Sequence, residues 1–322
     1  MRRREFIAGL GAAAALPLVA RGQQTLKRIG VLVGFAEDDP ATQRRVAAFI
    51  AGLRDLGWTT DRNVAIDLRY GAGNPERNRR LAKELVGLRP DVIFVNSTSG
   101  TAAIQRETRT IPVVFATVSD PVGSGFVESL ARPGGNMTGF VNVEGSIAGK
   151  WLGLLKEVAP GVCAAGLMYN PATATYFEYY MKPFAVAAEA AGVKHFPLLV
   201  SNAADIDQAF ATRKPDEGIV LMSDPFLTVN TGLANDKALQ FHVPVVSGIS
   251  QSGALVSYAP DTEDLFRRSA AYVDRLLRGE SPANLPVQLP TKFELIINLK
   301  TARTLGLTVP QTLIAEADEV IE

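Results

Sequence analysis

The sequence contains little of what metal centres, disulfide frameworks and nucleic-acid interfaces require. Its 322 residues include one cysteine and two histidines, which are too few for a zinc cluster or a disulfide framework. The 33 Lys and Arg residues are balanced by 33 Asp and Glu residues, which excludes the broadly cationic surface of a general nucleic-acid-binding protein. We therefore expect no metal, no cofactor and no nucleic-acid partner, in a chain long enough for roughly two domains. The lone Cys163 precedes an apolar stretch and is predicted to be a small buried hydrophobe.

Long apolar runs are also scarce. The uncharged run at residues 6–20 is shorter than the roughly 20 apolar residues of a membrane span, and Arg2, Arg3 and Arg4 precede it. This arrangement is typical of an export signal of the twin-arginine type, so we predict that residues 1–22 are a signal peptide that is removed. Its removal leaves 29 positive and 32 negative residues, a net charge of −3. We expect the mature protein in the periplasm.

What the sequence does contain is an alternation of short β-branched runs with helical segments. The strand-like runs are residues 29–33, 64–70, 92–96, 113–117, 165–169, 195–200, 219–222 and 245–247. Helical periodicity is found at residues 41–56, 75–88, 101–108, 176–191, 206–213 and 234–241. Buried strands that alternate with helices predict an α/β fold, with parallel sheets covered by helices on both faces.

An internal repeat indicates that this pattern occurs twice. A basic-Pro-Asp turn precedes a buried strand at residues 89–91 and again at residues 214–216. Downstream of these turns come Ile111-Pro112-Val113-Val114 and Val243-Pro244-Val245-Val246. Because two such pairs occur in the same order, we predict two similar doubly wound lobes.

Polar side chains cluster directly after the predicted strands. In open α/β sheets, ligands bind beyond the carboxyl ends of the strands, where helix N-termini present free N–H groups. Hydroxyls suit a carboxylate, an acidic side chain suits an ammonium group, and aromatic rings suit an apolar body. The alternative for any single residue is that it caps the following helix. The predicted ligand-binding residues are Phe35, Asn96, Ser97, Thr98, Ser99, Thr117, Ser119, Asp120, Tyr169, Asn170, Tyr176, Ser223, Asp224, Phe226, Ser247 and Ser250.

No enzyme motif is complete. Residues 248–252 approach a nucleophile elbow around Ser250 but end in Ser where the motif requires Gly. His195 and His242 both lie next to strand-like runs, so neither is an evident general base. We therefore predict no enzymatic activity; an exported hydrolase that uses Ser250 or a carboxylate stays as an alternative.

Several longer stretches resemble a known family. They are residues 118–139 (VSDPVGSGFVESLARPGGNMTG), 271–279 (AYVDRLLRG), 290–302 (PTKFELIINLKTA) and 317–321 (ADEVI). Together they are similar to the substrate-binding proteins of ABC importers, in the group that includes tryptophan- and tyrosine-type binding proteins. The resemblance extends over nearly the whole mature chain.

The resemblance implies the type I periplasmic-binding-protein fold, in which two Rossmann-like lobes are joined by three crossing strands. Mapped onto this chain, residues 26–139 and 253–283 would form one lobe, and residues 140–252 and 284–322 the other. The implied function is capture of a small organic solute, such as an amino acid or an aromatic carboxylate, in the cleft. A monomer would then deliver it to an ABC permease in the inner membrane, or, alternatively, to a signalling receptor.

In characterised relatives, Ser and Thr side chains of one lobe hold the ligand carboxylate, and an acidic or polar side chain of the other holds the amine. By resemblance, Ser97, Thr98, Ser99 and Ser119 would take the first role and Asp224 the second.

Overall fold

The first of two β-sheets is made from the N-terminal part of the chain. The computed structural model describes residues 26–250 and 253–322. Five parallel strands form the first sheet in the order β2-β1-β3-β4-β5. These are β1 (Lys27–Val33), β2 (Val64–Tyr70), β3 (Val92–Asn96), β4 (Val113–Val118) and β5 (Met137–Val141). The central strand β3 is buried along its whole length, as expected for a parallel strand covered on both faces.

The second sheet has seven strands in the order β12-β11-β10-β9-β8-β6-β7. Strands β6 to β10 are parallel to their neighbours, whereas β11 pairs antiparallel with β10. The strands are β6 (Ala164–Tyr169), β7 (Lys194–Leu199), β8 (Glu217–Leu221), β9 (Val245–Ser247), β10 (Val256–Pro260), β11 (Phe293–Asn298) and β12 (Glu319–Ile321).

Helices cover both faces of each sheet. On the first sheet, α1 (Pro40–Asp55) and α9 (Thr262–Leu277) pack on one face, and α2 (Pro75–Gly87) and α3 (Thr98–Glu107) on the other. The second sheet carries α4 (Ile147–Val158), α5 (Phe177–Ala190), α10 (Leu299–Thr304) and α11 (Gln311–Glu316) on one face. Its other face carries α6 (Ala203–Ala211), α7 (Pro225–Val229) and α8 (Thr231–Gln240). We call the first sheet with its four helices the first lobe and the second sheet with its helices the second lobe.

The two lobes repeat the same strand order. Strands β2-β1-β3-β4-β5 of the first sheet correspond to β7-β6-β8-β9-β10 of the second. The repeated basic-Pro-Asp turns precede the equivalent strands β3 and β8, and the repeated Pro-Val-Val segments lie at β4 and β9. The prediction of an α/β fold with two doubly wound lobes is therefore confirmed.

The chain passes between the sheets three times. It leaves the first sheet after β5 and returns between β10 and α9. It leaves again after Gln288, which forms an isolated bridge with Phe140 of β5. The lobe boundaries predicted from the sequence stay a prediction; strand pairing places β10, at residues 256–260, with the second sheet.

The structure corrects one detail of the sequence interpretation. Cys163 is exposed, because it lies in the turn directly before β6 rather than within the buried strand. The predicted signal peptide lies outside the described residues. Across residues 26–250 and 253–322, no helix is both long and apolar enough to cross a membrane.

Candidate functional site

A pocket lies between the lobes, at the carboxyl ends of strands from both sheets. Its walls surround about 460 Å³ of space, part of which is open to solvent. Seven of the predicted residues line it: Phe35, Ser97, Thr117, Tyr176, Ser223, Asp224 and Ser250. Further lining residues that the sequence analysis missed include Arg45, Asn142, Pro225, Thr228, Ile249 and Thr262. The expectation that the polar strand ends of the two lobes meet at one cleft therefore agrees with this geometry.

On the first lobe, a buried amide joins three strand ends. The Gly34 backbone N–H donates to Asn96 Oδ1 at 2.6 Å, and Asn96 Nδ2 donates to Thr117 Oγ1 at 3.0 Å. Asn96 is fully buried and does not line the pocket. Its role is to hold β1, β3 and β4 in register at the cleft.

Two lining residues of this lobe have unusual backbone angles. Ser97 has φ 78° and Thr117 has φ 52°, in the region that non-glycine residues rarely adopt. Ser97 Oγ accepts a hydrogen bond from the Gly100 N–H at 3.2 Å, so it also caps α3. Such strain persists where surrounding contacts enforce it and is concentrated at ligand sites.

Several predicted residues of the first lobe lie behind the pocket and stabilise its wall. Thr98 Oγ1 accepts from the Ser119 N–H at 3.0 Å, and Asp120 Oδ1 accepts from the Gly123 N–H at 2.8 Å. Ser99 Oγ accepts from Asn78 Nδ2 at 3.4 Å. These hydroxyls and this carboxylate are thus engaged in local contacts, although none of the three contacts caps a helix.

On the second lobe, Asp224 is the central polar group. Its carboxylate accepts from Thr173 Oγ1 and from the N–H groups of Asn170, Phe226 and Leu227. The side chain therefore caps the short helix α7 and joins the β8 end to the β6 end. Only 1% of Asp224 is exposed. Burial raises the pKa of its carboxyl to about 6, although the four hydrogen bonds oppose the increase.

Other predicted residues of the second lobe support this arrangement. Asn170 Oδ1 accepts from the Ala172 N–H at 2.8 Å, and Ser247 Oγ accepts from the Ile249 N–H at 3.1 Å. Tyr169 stacks on Phe177 with ring centroids 3.8 Å apart. Phe226 contributes its backbone N–H to Asp224. The four predicted residues Tyr169, Asn170, Phe226 and Ser247 do not line the pocket themselves.

Polar contacts bridge the two lobes at the back of the pocket. Ser119 Oγ, after β4, lies 2.8 Å from Tyr180 OH on α5. Asn142 Nδ2, after β5, donates to Ser223 Oγ at 2.7 Å. Within the second lobe, Tyr176 OH donates to the Ser223 carbonyl at 2.8 Å and so holds Ser223 in place for this contact. Burial and the neighbouring Asp224 raise the pKa of Tyr176, so its phenol stays protonated.

The cation of the pocket was not predicted from the sequence. Arg45 lies on α1 and is only 4% exposed. Its guanidinium stands over the Phe35 ring, with Cζ 4.9 Å from the ring centroid, a cation–π distance. A signal for it exists, because Arg45 falls on the buried face of α1 together with Thr42, Val46 and Phe49.

Ser250, the residue of the incomplete nucleophile motif, lies on the wall of the pocket. Its Oγ donates to Glu294 Oε2 at 3.2 Å, so the hydroxyl of this pocket residue is held by a carboxylate of β11. His195 lies in β7 and His242 follows α8, and neither lines the pocket.

Comparison with known proteins places this fold and cleft in context. The sequence profile of a family described as ABC transporter substrate binding protein matches residues 28–321. A tyrosine-binding protein of Clostridioides difficile is 24% identical over 284 residues, which cover 84% of this chain and 79% of the relative.

Two solved structures share the fold. A conserved domain protein of Vibrio cholerae has a TM-score of 0.84 at 28% identity. An ABC domain from Streptococcus pneumonia in complex with L-Trp has a TM-score of 0.82 at 24% identity. Each similarity covers 92% of this chain and 99% of the other.

Proposed function

Because the chain belongs to the family of ABC transporter substrate-binding proteins, we propose that it captures a small organic solute between its lobes and delivers it to an ABC permease. The solute is an amino acid or an aromatic carboxylate. Export to the periplasm through the N-terminal signal, and action as a monomer without catalysis, are parts of the same proposal.

One observation carries the proposal. Strand ends from both sheets converge on one pocket, and this pocket combines aromatic walls, Phe35 and Tyr176, with hydroxyls such as Ser97 and Thr117. Aromatic walls with a few placed polar groups are typical of sites for small organic ligands. The tyrosine-binding relative and the L-Trp complex support an aromatic amino acid as the first ligand to test.

A thermal-shift screen of the mature protein tests this function. The panel contains aromatic and aliphatic amino acids, aromatic acids, dipeptides and, as a different class, monosaccharides. A bound solute stabilises the native state by mass action, by about 2.7 kcal/mol at a hundredfold excess over Kd. The absence of any shift, together with turnover of a solute from the panel, would overturn the proposal.

Asp224 gives a second arm to this experiment. If its carboxylate also accepts from a ligand ammonium group, Asp224→Asn lowers the affinity for L-tryptophan more than the affinity for indole-3-propionate, which lacks the amine. Equal losses for both ligands assign Asp224 to capping α7 instead, since the cap supports the pocket irrespective of the ligand's amine. Isothermal titration with the two ligands separates these outcomes.

A further inference from the structure

The guanidinium of Arg45 is a buried cation with an unsatisfied donor, its Nη1. Among the described residues, no hydrogen-bond acceptor is within reach of its buried Nη1. Burial lowers the pKa of Arg45 from its ordinary value, yet arginine keeps its charge at neutral pH. A buried charge with an unsatisfied donor destabilises a protein, and the Phe35 ring offers that donor no lone pair to replace the water it has lost.

The neighbouring carboxylates are already engaged elsewhere. Asp39 accepts from the Thr42 N–H and Thr42 Oγ1, and so caps α1. Glu263 pairs with Arg44 at 2.8 Å, and Glu294 accepts from Ser250. All three favour the charged form of Arg45 from a distance. None of them supplies the paired oxygens that a guanidinium fork accommodates.

We propose that Arg45 binds the carboxylate of the solute, and that the cleft therefore selects organic acids over their neutral counterparts; this inference rests on the function proposed above. Arg45 lines both the pocket and the outer part of the cleft between α1 and α8. A carboxylate entering between the lobes meets the guanidinium there, and its two oxygens complete the donor fork. The Phe35 ring fixes the plane of that fork.

This assignment differs from the role that the resemblance implies for the serine and threonine side chains. Of those four residues, only Ser97 lines the pocket; it caps α3 through its Oγ lone pair and offers an anion at most one neutral O–H donor. Thr98 and Ser119 bond to each other and, through Ser119, to Tyr180. The cation that is available for an anion is Arg45, which lies on α1 and not at the ends of β3 and β4.

Isothermal titration with matched pairs of ligands tests the inference. Each pair consists of an acid and its primary amide: L-tryptophan, L-tyrosine, L-phenylalanine, indole-3-acetate and 4-hydroxybenzoate with the corresponding amides. Wild-type protein is expected to bind at least one acid about 100-fold more tightly than its amide. Arg45→Met abolishes that preference by lowering the affinity for the acid. Arg45→Lys retains part of the preference, because its ammonium keeps the charge but lacks the two parallel N–H donors of a guanidinium.

Two controls separate binding from folding. Arg54→Met removes an exposed cation from the last turn of the same helix, and we expect unchanged affinities. The ligand-free Arg45→Met protein is expected to melt at the same or a higher temperature than wild type, because an unpaired buried charge is removed. A purely structural arginine would instead lower the melting temperature and weaken acid and amide alike, which would overturn the inference.

The remaining outcomes are also decisive. If wild type binds acid and amide equally, or binds only monosaccharides, the role of Arg45 is overturned while solute capture stands. If wild type binds none of these acids or amides, the inference is overturned; if in addition no solute of the wider panel shifts its stability and one is turned over, the proposed function fails as well. An unchanged acid preference in Arg45→Met overturns the inference alone.

Discussion

Asp224 shows how a single buried carboxylate couples the site to stability. The native protein raises its pKa from 3.8 to about 6 through burial, so the folded state binds this proton more tightly than the unfolded chain does. The stability that follows is fully present below pH 4 and is lost as the pH rises through 6. The shift corresponds to about 3 kcal/mol of unfolding free energy.

Asp224→Asn provides the reference for that effect, since an amide does not titrate. We expect the unfolding free energy of wild type minus that of the variant to fall by about 3 kcal/mol between pH 4 and pH 7, and to be flat above pH 7. Urea unfolding at a series of pH values measures this difference. A difference that grows as the pH rises would mean that hydrogen bonds, rather than burial, dominate the carboxyl's pKa.

Some residues of the pocket could be predicted from the sequence and others could not. The polar strand ends are readable because parallel strands align their carboxyl ends, and seven of the sixteen predicted residues line the pocket. Which of them face the ligand depends on local bonds, such as that of Thr98 to Ser119, that no spacing reveals. To predict Arg45 as a pocket residue, one would have to notice that a charged residue interrupts the apolar face of α1.

Among the elements, α1 and α9 pack closely because a glycine lies between them. A Cβ atom built on Gly52 of α1 would lie 2.8 Å from the Arg267 carbonyl oxygen and 2.9 Å from Ala270 Cβ on α9. Both distances are shorter than van der Waals contact, so the helices would have to separate. The close approach of α9 to α1 thus depends on the absence of a side chain at Gly52. Because Arg45 lies on α1, this packing also bears on the pocket.

Gly52→Ala is therefore expected to destabilise the protein by about 1–2 kcal/mol, because the strain exceeds the gain in helix propensity. The matched change is Gly153→Ala in the middle of α4, where the new methyl meets no atom within 4 Å. That variant should gain about 0.5–1 kcal/mol. Denaturant unfolding of both proteins checks the pair, and equal effects would contradict the packing argument.

Elements were predictable where hydrophobic periodicity is strong and local. The eight predicted strands and six predicted helices all occur, although α3, α6 and α8 begin three residues earlier; side chains of Ser97 and Asn202 cap the first two. Strand β12 has only three half-buried or exposed residues. It exists because it pairs with β11, and such pairing leaves no periodicity in a sequence.

For the whole molecule, the lobes touch at the mouth of the cleft. Gly73, in the loop between β2 and α2, has φ 68°, and its Cβ position lies 3.1 Å from the Pro225 carbonyl oxygen on α7. The first lobe thus contacts the second beside the pocket. A side chain at this position would hold the lobes apart.

Gly73→Asn tests the link between closure and affinity, because asparagine tolerates a positive φ. We expect affinity for the solute to fall about tenfold, equivalent to about 1.4 kcal/mol, with a larger radius of gyration in small-angle scattering. Gly192→Asn is the control, since Gly192 has φ 65° and no atom within 4 Å of its Cβ position. Equal affinity in both variants would show that contact at Gly73 does not contribute to binding.

The return of α9 to the first lobe has a consequence for the order in which the protein is made. Phe94 of β3 stacks on Phe49 of α1 and meets the edge of Phe266, which α9 supplies. The ribosome therefore completes most of the second lobe before the first lobe receives the helix that seals its core. An emerging chain therefore exposes Phe94 and Phe49 until α9 has been synthesised, and the first lobe cannot complete its core before the strands of most of the second lobe exist.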